Sequence, residues 1–251
     1  MSIPKVIHCC WLGNKKMPAD QETYVKNYKK LMPDFEIRLW TDKEFAPYLG
    51  DSSFVKACIE RNKPGFLSDY FRLTVLYEYG GIYMDTDVEM IKPLYPFLDH
   101  HMFIGYIFDS LLGTAVIGVE PHSPIIKKML DVLLTDFESK KDFTVSNNWV
   151  TAFFLNNFED FKLNGRYQLV KSKDILVLPK DYLERYCFDK NGNGGYCEHH
   201  CAGSWYDRKA DPFKAFLIKV FGRKTISKIG HFRAVRKSPF YKIYKRDRKI
   251  K

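Results

Sequence analysis

The sequence predicts an α/β layered domain, and three observations lead to that prediction. Apolar runs of strand length alternate along the chain with segments of helical periodicity. The chain has 251 residues, 45% of them hydrophobic, so it can bury a substantial core in one large domain or two small ones. It contains no internal repeat and no low-complexity segment. This composition excludes a disordered protein.

The individual elements are predicted from periodicity and from the residues typical of helix ends. The first strand, helix and second strand form one βαβ unit. Farther along, Pro64 and Gly65 are interpreted as a break, Ser68 as the N-cap of the next helix and Gly80 as its stop. Strands are predicted at residues 5–12, 36–41, between 80 and 90, 103–108, 114–119 and 175–178, and helices at 21–31, 52–62, 68–79, 124–137 and 148–158.

The stretch YGGIYMDTDVEM, Tyr79–Met90, combines a strand pattern with acidic residues. Successive side chains of an extended chain point to opposite faces, so the apolar residues of this stretch share one face. Tyr83, Asp85, Asp87 and Glu89 share the other. One interpretation is a half-exposed strand whose carboxylates face water. The other is a functional site at the end of the strand.

Paired carboxylates at a strand end favour a divalent metal. Oxygen ligands suit Mg²⁺ or Mn²⁺, which proteins commonly share between one or two carboxylates and a substrate phosphate. In open α/β sheets ligands bind beyond the carboxyl ends of the strands, where Asp85 and Asp87 are predicted to lie. This placement does not choose a reaction, because a metal-dependent phosphohydrolase or nuclease would use the same pair.

The net charge of +10 is distributed unevenly along the chain. Residues 207–251 hold 16 Lys and Arg against 3 Asp and Glu, whereas residues 1–206 carry a small net negative charge. A surface built for nucleic acid would spread its basic residues over the fold, and the sequence has no zinc-finger, RNA-recognition or basic-zipper signature. No nucleic-acid partner is therefore expected.

The sequence predicts neither a membrane span nor a secretion signal. It has no apolar run of about 20 residues, and its N-terminus lacks a charged segment followed by a small-residue cleavage site. The six cysteines, which include the adjacent Cys9 and Cys10, do not indicate a disulfide scaffold in a chain of this size. We expect reduced thiols and a cytoplasmic body.

Three segments, taken in order, resemble the DXD-containing, sugar-binding glycosyltransferases of family 32. They are IPKVIHCCWLGN at the start, SDYFRLTVLYEYGGIYMDTDVEMIKPL in the middle and HHCAGSW near residue 200. More distantly, they look like the catalytic domains of glucosylating toxins. The resemblance implies a GT-A fold, a Rossmann-like single domain around a mostly parallel sheet, over residues 1–206. It also implies a nucleotide-sugar donor and a metal, usually Mn²⁺, that Asp85 and Asp87 hold against the donor diphosphate.

The resemblance also indicates which residues contact the donor. In similar sequences the tryptophan at the position of Trp11 stacks on uracil; core packing is the alternative. Asp69 and Arg72 match a pair that contacts the donor sugar and phosphate, although they also fit an ordinary ion pair on a helix. The expected donor contacts are Trp11, Leu12, Gly13, Asp69, Arg72, Tyr83, Asp85, Asn148, Ser204 and Trp205, and the expected catalytic residues are Asp85, Asp87 and Arg72.

The segment GYCEHHCAGSW is expected to supply a further metal ligand. His200 resembles the late histidine that many GT-A enzymes add to the metal, with His199 as the alternative. Ser204 and Trp205 match a pair that closes over the diphosphate. A structural zinc site made of nearby cysteines and a histidine is the competing interpretation, but its spacings fit no standard finger. Asn148 fits either a helix cap or a contact with a sugar hydroxyl.

Residues 207–251 have the pattern of a basic amphipathic tail. Asp211 at the N-cap, Pro212 at the first helical position and Gly222 after the end frame the segment DPFKAFLIKVFG. Apolar residues at helical spacing, flanked by lysines and arginines, favour an anchor on an anionic membrane surface. The alternative is a helix that packs on the body with a solvated basic end.

The predicted function is the metal-dependent transfer of a hexose from a nucleotide sugar, expected to be a UDP-sugar, to a glycan or lipid-linked acceptor. Surface polysaccharide synthesis, such as that of capsule or lipopolysaccharide, would use this reaction at the inner face of the membrane. Family membership implies retention of the anomeric configuration, since a retaining transferase lets the departing phosphate oxygen take the acceptor proton. The alternative is a phosphohydrolase or nuclease that uses the same paired aspartates.

Overall fold

The computed structural model of the protein describes residues 3–13, 15–185, 188, 192–202 and 212–250. Strands and helices alternate through most of this range, as predicted. The strands are β1 (Val6–Cys10), β2 (Glu36–Trp40), β3 (Gly81–Met84), β4 (Val88–Met90), β5 (Met102–Phe108), β6 (Leu111–Val119), β7 (Gln168–Val170), β8 (Ile175–Leu178) and β9 (Cys197–His199). The helices are α1 (Ala19–Leu31), α2 (Asp42–Phe45), α3 (Ser53–Glu60), α4 (Pro64–Tyr79), α5 (Pro124–Lys140), α6 (Ser146–Asn157), α7 (Lys180–Leu183), α8 (Pro212–Phe221), α9 (Arg223–Lys237) and α10 (Tyr241–Asp247).

Seven strands form the main sheet in the order β2-β1-β3-β6-β5-β8-β7. β1 pairs in parallel with β2 and β3, and β5 pairs in parallel with β8. β6 runs antiparallel to β3 and β5, and β7 runs antiparallel to β8. Five strands therefore point in one direction, which confirms the mostly parallel sheet. We call the edge where β1, β3, β5 and β8 end the carboxyl edge.

Each face of this sheet has its own apolar core. Strand β3 shows the division, because Tyr83 packs into one core and Ile82 and Met84 pack into the other. All four residues of β3 are buried. A strand that is covered on both faces carries a continuous apolar run rather than an alternating one. The half-exposed interpretation is therefore wrong for β3, and the strand ends before the first aspartate.

Helix α4, which leads into β3, begins one turn earlier than predicted. Pro64 and Gly65 open the helix instead of breaking the chain, because proline at the first helical position loses no hydrogen bond. Ser68 lies inside the helix, where its hydroxyl donates to the carbonyl of Gly65 at 2.7 Å. Gly80 ends the helix as predicted, with a φ of +61° that favours glycine.

His8 in β1 is buried between two hydrogen-bond partners. Its Nε2 lies 3.1 Å from the carbonyl of Gly80, and the indole N–H of Trp40 donates to its Nδ1 at 3.1 Å. Burial lowers the pKa of His8 to about 4, so the ring is neutral at pH 7. The five cysteines in the described part of the chain form no disulfide, which agrees with the prediction for them.

Helix α9 packs on the tip of the hairpin that joins β5 to β6. Val235 is buried there, and the hydroxyl of Ser110 donates to its carbonyl at 3.3 Å. Nε2 of the buried His231 lies 3.1 Å from Oδ2 of Asp109. Lys180, at the start of α7, holds the other oxygen of this carboxylate. A partly buried cluster of polar side chains thus fixes one face of α9 on the body.

Helix α10 is attached to a second part of the body. The buried carboxylate of Asp247 accepts the backbone N–H of Leu163 at 3.0 Å. Arg166 donates to the carbonyls of Arg248 and Ile250 just beyond the end of the helix. Packing on the body, one of the two alternatives for the tail, is therefore observed for parts of α9 and α10. Within the described ranges, no helix is both long and apolar enough to cross a bilayer.

Candidate functional site

The sequence DTD forms a turn at the carboxyl edge, between β3 and β4. The N–H of Val88 donates to the carbonyl of Asp85 at 3.1 Å and closes the turn. Two residues of α1 hold it from outside: Tyr28 donates through its hydroxyl to the Val88 carbonyl, and Gln21 accepts the hydroxyl of Thr86 at 2.7 Å. The turn is therefore fixed before any ligand arrives.

Strand β9 brings a histidine to this turn. In the small antiparallel sheet Val88 pairs with His199, so the imidazole lies beside the second aspartate. Candidate ligand atoms of Asp85, Asp87 and His199 all lie within 4.8 Å of one another. Nε2 of His199 is 3.4 Å from Oδ1 of Asp87, and the N–H of Ala202 donates to the other oxygen at 2.8 Å. We call these three side chains the Asp-Asp-His cluster.

A buried carboxylate orients the histidine of this cluster. Glu184 is only 1% exposed, and its Oε2 lies 2.6 Å from Nδ1 of His199. Its backbone carbonyl also accepts the His199 N–H at 2.9 Å. Gly113 makes room for it, because a β-carbon there would lie 2.1 Å from Oε1 of Glu184. Glu184 was not predicted from the sequence, since a single acidic residue after a four-residue helix has no distinguishing pattern.

The charges of the cluster depend on one another. Burial raises the pKa of Asp85, with the neighbouring charge of Asp87 acting in the same direction and Arg72 opposing it. Burial also acts to raise the pKa of Asp87, but the bond to His199, the charge of His199 and backbone N–H groups such as that of Ala202 together outweigh it, and the pKa is lowered. Although burial opposes protonation of His199, Glu184 and Asp87 raise the pKa of the imidazole well above its usual range. Without a metal, the imidazolium is therefore shared between two carboxylates.

His200, the predicted metal ligand, points away from the cluster. Its ring stacks on Tyr24 with centroids 4.9 Å apart, and its Nε2 lies 3.0 Å from Glu89. Only its backbone reaches the turn, where the N–H donates to the Asp87 carbonyl. Because successive side chains of an extended segment alternate in direction, one of two adjacent histidines faces the aspartates. The structure places His199, the alternative, in that position.

Arg72 connects helix α4 to the DTD turn. Its guanidinium lies 3.1 Å from Oδ1 of Asp69 and 3.4 Å from Oδ1 of Asp85, and it donates to the Thr114 carbonyl. It also covers the ring of Tyr83 at 4.6 Å, and the hydroxyl of that ring donates to Asp85 at 2.7 Å. The Asp69–Arg72 ion pair, which was the alternative interpretation, is present, but it is buried and belongs to a larger network.

The surroundings of Asp69 also shift the protonation of its carboxylate. Burial raises the pKa of Asp69 to about 6, the charge of Asp85 adds to the effect, and Arg72 opposes it. Arg72 stays protonated: burial acts against its charge, but Asp85 and Asp69 raise its pKa above the usual range. The network therefore presents one fixed positive charge next to the Asp-Asp-His cluster.

Helix α6 contributes its first residues to this region. The hydroxyl of Thr114 lies 3.2 Å from the hydroxyl of Ser146 and donates to Oδ1 of Asn147, also at 3.2 Å. Asn148 lies inside the helix, where its N–H donates to the carbonyl of Val145, so the interpretation of Asn148 as a helix cap is wrong. Its contact with a donor sugar stays a prediction.

Trp11, Leu12 and Gly13 follow β1 at the same edge of the sheet. Trp11 is partly exposed and lies in neither core, so the alternative of core packing is wrong for this ring. The indole N–H of Trp11 donates to the carbonyl of Lys15. Leu12 packs at the margin of one core. Gly13 has a φ of +92°, and its N–H donates to Asp42 at 2.8 Å. Ser204 and Trp205 lie outside the described residues.

The Asp-Asp-His cluster has the donors that a divalent metal needs. Two carboxylates and one imidazole suit Mn²⁺, which accepts oxygen and nitrogen ligands; Mg²⁺ favours oxygen alone. Glu184 behind His199 completes a carboxylate–histidine arrangement typical of metal sites. Asp85, Asp87 and His199 therefore fit the metal predicted from the sequence.

The family comparison agrees with this site. The model of the family described as "Glycosyltransferase sugar-binding region containing DXD motif" matches residues 18–104, which include α4 and the DTD turn. Residues 18–104 of the chain are thus similar to the sugar-binding region of these DXD-containing glycosyltransferases. The match covers Asp69, Arg72, Asp85 and Asp87, whereas His199 and Glu184 lie beyond it.

Curated relatives of the chain are named as glycosyltransferases. Inositol phosphoceramide mannosyltransferase 1 of Schizosaccharomyces pombe is 25% identical over 225 residues, which cover 84% of this chain and 65% of the relative. Inositol phosphoceramide mannosyltransferase 3 of the same organism is 28% identical over 141 residues, which cover 51% of this chain and 36% of the relative. The chain thus spans from about a third to just under two thirds of the length of these relatives.

A solved structure named PaToxG Glycosyltransferase has a similar fold. It superimposes with a TM-score of 0.51 at 19% sequence identity, covering 62% of this chain and 69% of that one. At this identity the similarity concerns the fold alone. The GT-A fold predicted from the sequence is confirmed.

Proposed function

We propose that this glycosyltransferase moves a hexose from a nucleotide sugar to a glycan or lipid-linked acceptor, with a divalent metal and with retention of configuration. One observation carries the proposal: the Asp-Asp-His cluster and the buried cation Arg72 share Asp85. A donor diphosphate is an anion that needs both a metal and a fixed positive charge nearby. The cluster and Arg72 together supply that combination.

Asp85, Asp87 and His199 would hold the metal, proposed to be Mn²⁺ with Mg²⁺ as the second choice. A bound metal would act as a Lewis acid and neutralise charge on the departing nucleoside diphosphate. The ligands are already positioned: the DTD turn is tied to α1, and Glu184 fixes the imidazole. Preorganised ligands need little rearrangement when the donor binds.

Arg72 would orient the donor. Because Asp69, Asp85 and the Thr114 carbonyl hold its guanidinium, the side chain keeps one position beside the DTD turn. Such a fixed cation favours a phosphate or a sugar hydroxyl without losing its own rotational freedom on binding. Asp69 would accept from a hydroxyl of the sugar.

The proposed donor is a UDP-sugar, on the strength of the partly exposed Trp11 at the end of β1. A flat ring there offers a stacking surface for a base. The relatives named as mannosyltransferases support a hexose. Donor sugars differ in a few hydroxyl contacts, so the test below includes GDP beside UDP.

Retention is supported by the state of the carboxylates around the cluster. Asp69 and Asp85 are bound to Arg72, Asp87 to His199 and the Ala202 N–H, and Glu184 to His199. An inverting enzyme needs a carboxylate base that is free to take the acceptor proton. Among the described residues, all four of these carboxylates are engaged. The configuration of the product, read by NMR of the anomeric proton, tests this part of the proposal.

A lipid-linked or glycan acceptor at the inner membrane face, as in capsule or lipopolysaccharide synthesis, completes the proposal. The relatives' names contain a ceramide lipid, which supports an acceptor carried by lipid. We also propose the division into a catalytic domain, residues 1–206, and a basic tail, residues 207–251. No nucleic-acid partner is proposed.

The first test is calorimetric titration of UDP and GDP into the purified protein, with Mn²⁺ and with a chelator. Binding that needs Mn²⁺ and is lost in Asp87→Ala is the expected result. Asp131→Ala, on an exposed face of α5, is the matched control and should bind as the wild type does. Metal-dependent binding would then justify a screen of donor sugars by hydrolysis. If neither nucleotide binds in the presence of Mn²⁺, the nucleotide-sugar proposal is wrong.

A further inference from the structure

We propose that α8, α9 and α10 form one docking face for an anionic lipid bilayer, and that this face adjoins the carboxyl edge that carries the donor site. The basic tail of the sequence suggested a membrane anchor or a packed helix; the packing is observed, and the anchor is the proposal. One side of α9 and α10 packs on the body, and the other side is exposed. The proposed docking is independent of catalysis, and only its link to a lipid-borne acceptor rests on the proposed function.

Helix α9 divides into two faces. His231 and Val235 are buried against the body, whereas Ile229 and Phe232 are 48% and 57% exposed. Arg233 and Arg236 are also exposed. Residues 229, 232, 233 and 236 are spaced so that they share one side of a helix. The guanidinium of Arg236 lies 4.2 Å from the ring centroid of Phe232. The outer side of α9 thus carries apolar groups framed by arginines.

Helix α8 adds to this surface at its C-terminal end. Val220 and Phe221 are 54% and 57% exposed, and Lys219 beside them is exposed as well. α8 and α9 pack against each other. Two neighbouring helices therefore each expose a pair of large apolar side chains next to basic ones. Such an arrangement is typical of helices that lie in a membrane interface.

Helix α10 supplies a basic cleft without apolar groups. Lys242, Lys245, Arg246 and Lys249 line a shallow space of about 370 Å³ on its exposed side. Between residues 212 and 250 the sequence contains one acidic residue, Asp247, and that side chain is buried. No described carboxylate of the tail therefore offsets the exposed positive charge. This charge complements an anionic headgroup layer, which attracts nearby Lys and Arg side chains.

The attachment points of α9 place the docking face at the carboxyl edge. β5 runs in the same direction as β3, so the tip of the β5–β6 hairpin lies at the edge where the DTD turn lies. Asp109 and Ser110 at this tip bind His231 and Val235 of α9. A bilayer bound by the outer side of α9 would therefore lie next to the donor site rather than behind the sheet.

Exposed apolar side chains favour a bilayer over a nucleic acid as the partner. A phosphate backbone attracts lysines and arginines but gains nothing from contact with exposed apolar side chains. The exposed apolar residues here are Ile229, Phe232, Val220 and Phe221. A bilayer accommodates both, because basic groups bind its headgroups while apolar groups enter the boundary of the acyl chains. The two partners are thus distinguished by the dependence of binding on the apolar residues.

The test is flotation of the full chain with two kinds of vesicle. One is pure phosphatidylcholine, and the other contains about 30% of the anionic lipid phosphatidylglycerol. The wild type should bind the anionic vesicles, bind neutral ones at least tenfold more weakly, and lose binding in high salt. Ile229→Ser/Phe232→Ser should lower partitioning at least tenfold. Ile59→Ser/Tyr167→Ser, which changes apolar residues about equally exposed elsewhere, should leave it unchanged.

Reversal of the charge of exposed arginines on α9 provides a second set of variants for the same flotation test. Arg233→Glu/Arg236→Glu should abolish binding to anionic vesicles, whereas Lys30→Glu/Lys63→Glu, with the same change of net charge on other surfaces, should lower it only slightly. Metal-dependent nucleotide binding should be equal in all these variants, which separates a failure of docking from a failure of the proposed function. Equal flotation of tail and control variants overturns the proposal. So does retention on duplex DNA without any binding to vesicles.

Discussion

Nδ1 of His199 lies 2.6 Å from the carboxylate of Glu184, while Nε2 of the same ring faces Asp87 across 3.4 Å. The ring is thus held from behind by a buried acid and presented to the DTD turn. This relationship makes Glu184 a positioning residue for the metal proposed at the Asp-Asp-His cluster.

Replacement of Glu184 should weaken metal binding. Glu184→Ala removes the group that orients the imidazole, and loss of such a partner typically costs 10- to 100-fold in metal affinity. Glu184→Gln keeps an acceptor for Nδ1–H and should lose less. Calorimetric titration of Mn²⁺ into each variant measures the change in metal affinity. The matched control is Glu89→Gln, whose carboxylate faces His200 instead; an equal loss there would contradict the assignment.

Gly113→Ala should resemble Glu184→Ala. The added β-carbon would lie 2.1 Å from Oε1 of Glu184, so the carboxylate must move away from His199. We expect a loss of Mn²⁺ affinity of the same order, about tenfold or more. Gly230→Ala is the control, because a β-carbon there meets no atom within 4 Å and alanine favours the helix. Unchanged metal affinity in Gly113→Ala would show that the carboxylate position is not critical.

Arg72→Met should destabilise the fold as well as the site. The guanidinium compensates the buried Asp69 and the partly buried Asp85, and breaking a buried pair costs about 3–5 kcal/mol. Urea denaturation measures the loss in the free energy of unfolding. Arg38→Met, which breaks an exposed pair with Glu36, should cost less than about 1 kcal/mol. Similar losses for the two variants would contradict a structural role of the Arg72 network.

The stability of the protein should fall in weak acid partly through His8. Its pKa is about 4 in the folded chain and near 6.5 when unfolded, so the unfolded state binds the proton more tightly. The contribution of neutral His8 to the free energy of unfolding is complete above pH 6.5. It is lost progressively as the pH falls to 4, and the total loss is about 3 kcal/mol. Urea denaturation between pH 7.5 and 4.5 should show a shallower fall in His8→Gln. Parallel curves for the two proteins would exclude this cause.

Asp247→Ala should loosen α10 from the body. The buried N–H of Leu163 then loses its acceptor, which costs about 1–3 kcal/mol. Hydrogen exchange measured by mass spectrometry should show faster exchange in residues 241–250. Asp51→Ala, at a carboxylate that is 92% exposed, serves as the control and should leave exchange unchanged. If α10 exchanges at the same rate in both variants, its attachment does not depend on Asp247.

The sequence predicted the fold better than the contacts of the site. Gly80 after α4 is a local signal that is read from neighbouring residues, and it was located correctly; the predicted strand, however, ends before Asp85 instead of continuing through it. Proline is ambiguous, because Pro64 suits a break and a helix start equally well. The choice between His199 and His200 depends on how β9 pairs with β4. Such a pairing is a long-range contact that no local pattern encodes.

Glu184 shows a second limit of prediction. Its importance comes from burial, from Gly113 on another strand and from the distant His199, so it is visible only after folding. The basic tail shows a third limit of prediction from the sequence. The spacing of its apolar residues indicates an amphipathic segment, but which side packs on the body depends on partners such as Ser110 and Leu163.

The pairing of β4 with β9 also has a consequence for biosynthesis. The two aspartates leave the ribosome early, whereas His199 and its strand are translated only after most of the chain. A nascent polypeptide that ends before β9 carries the acidic turn without its imidazole partner. The complete set of ligands for the proposed metal is therefore assembled only after most strands of the sheet have been translated.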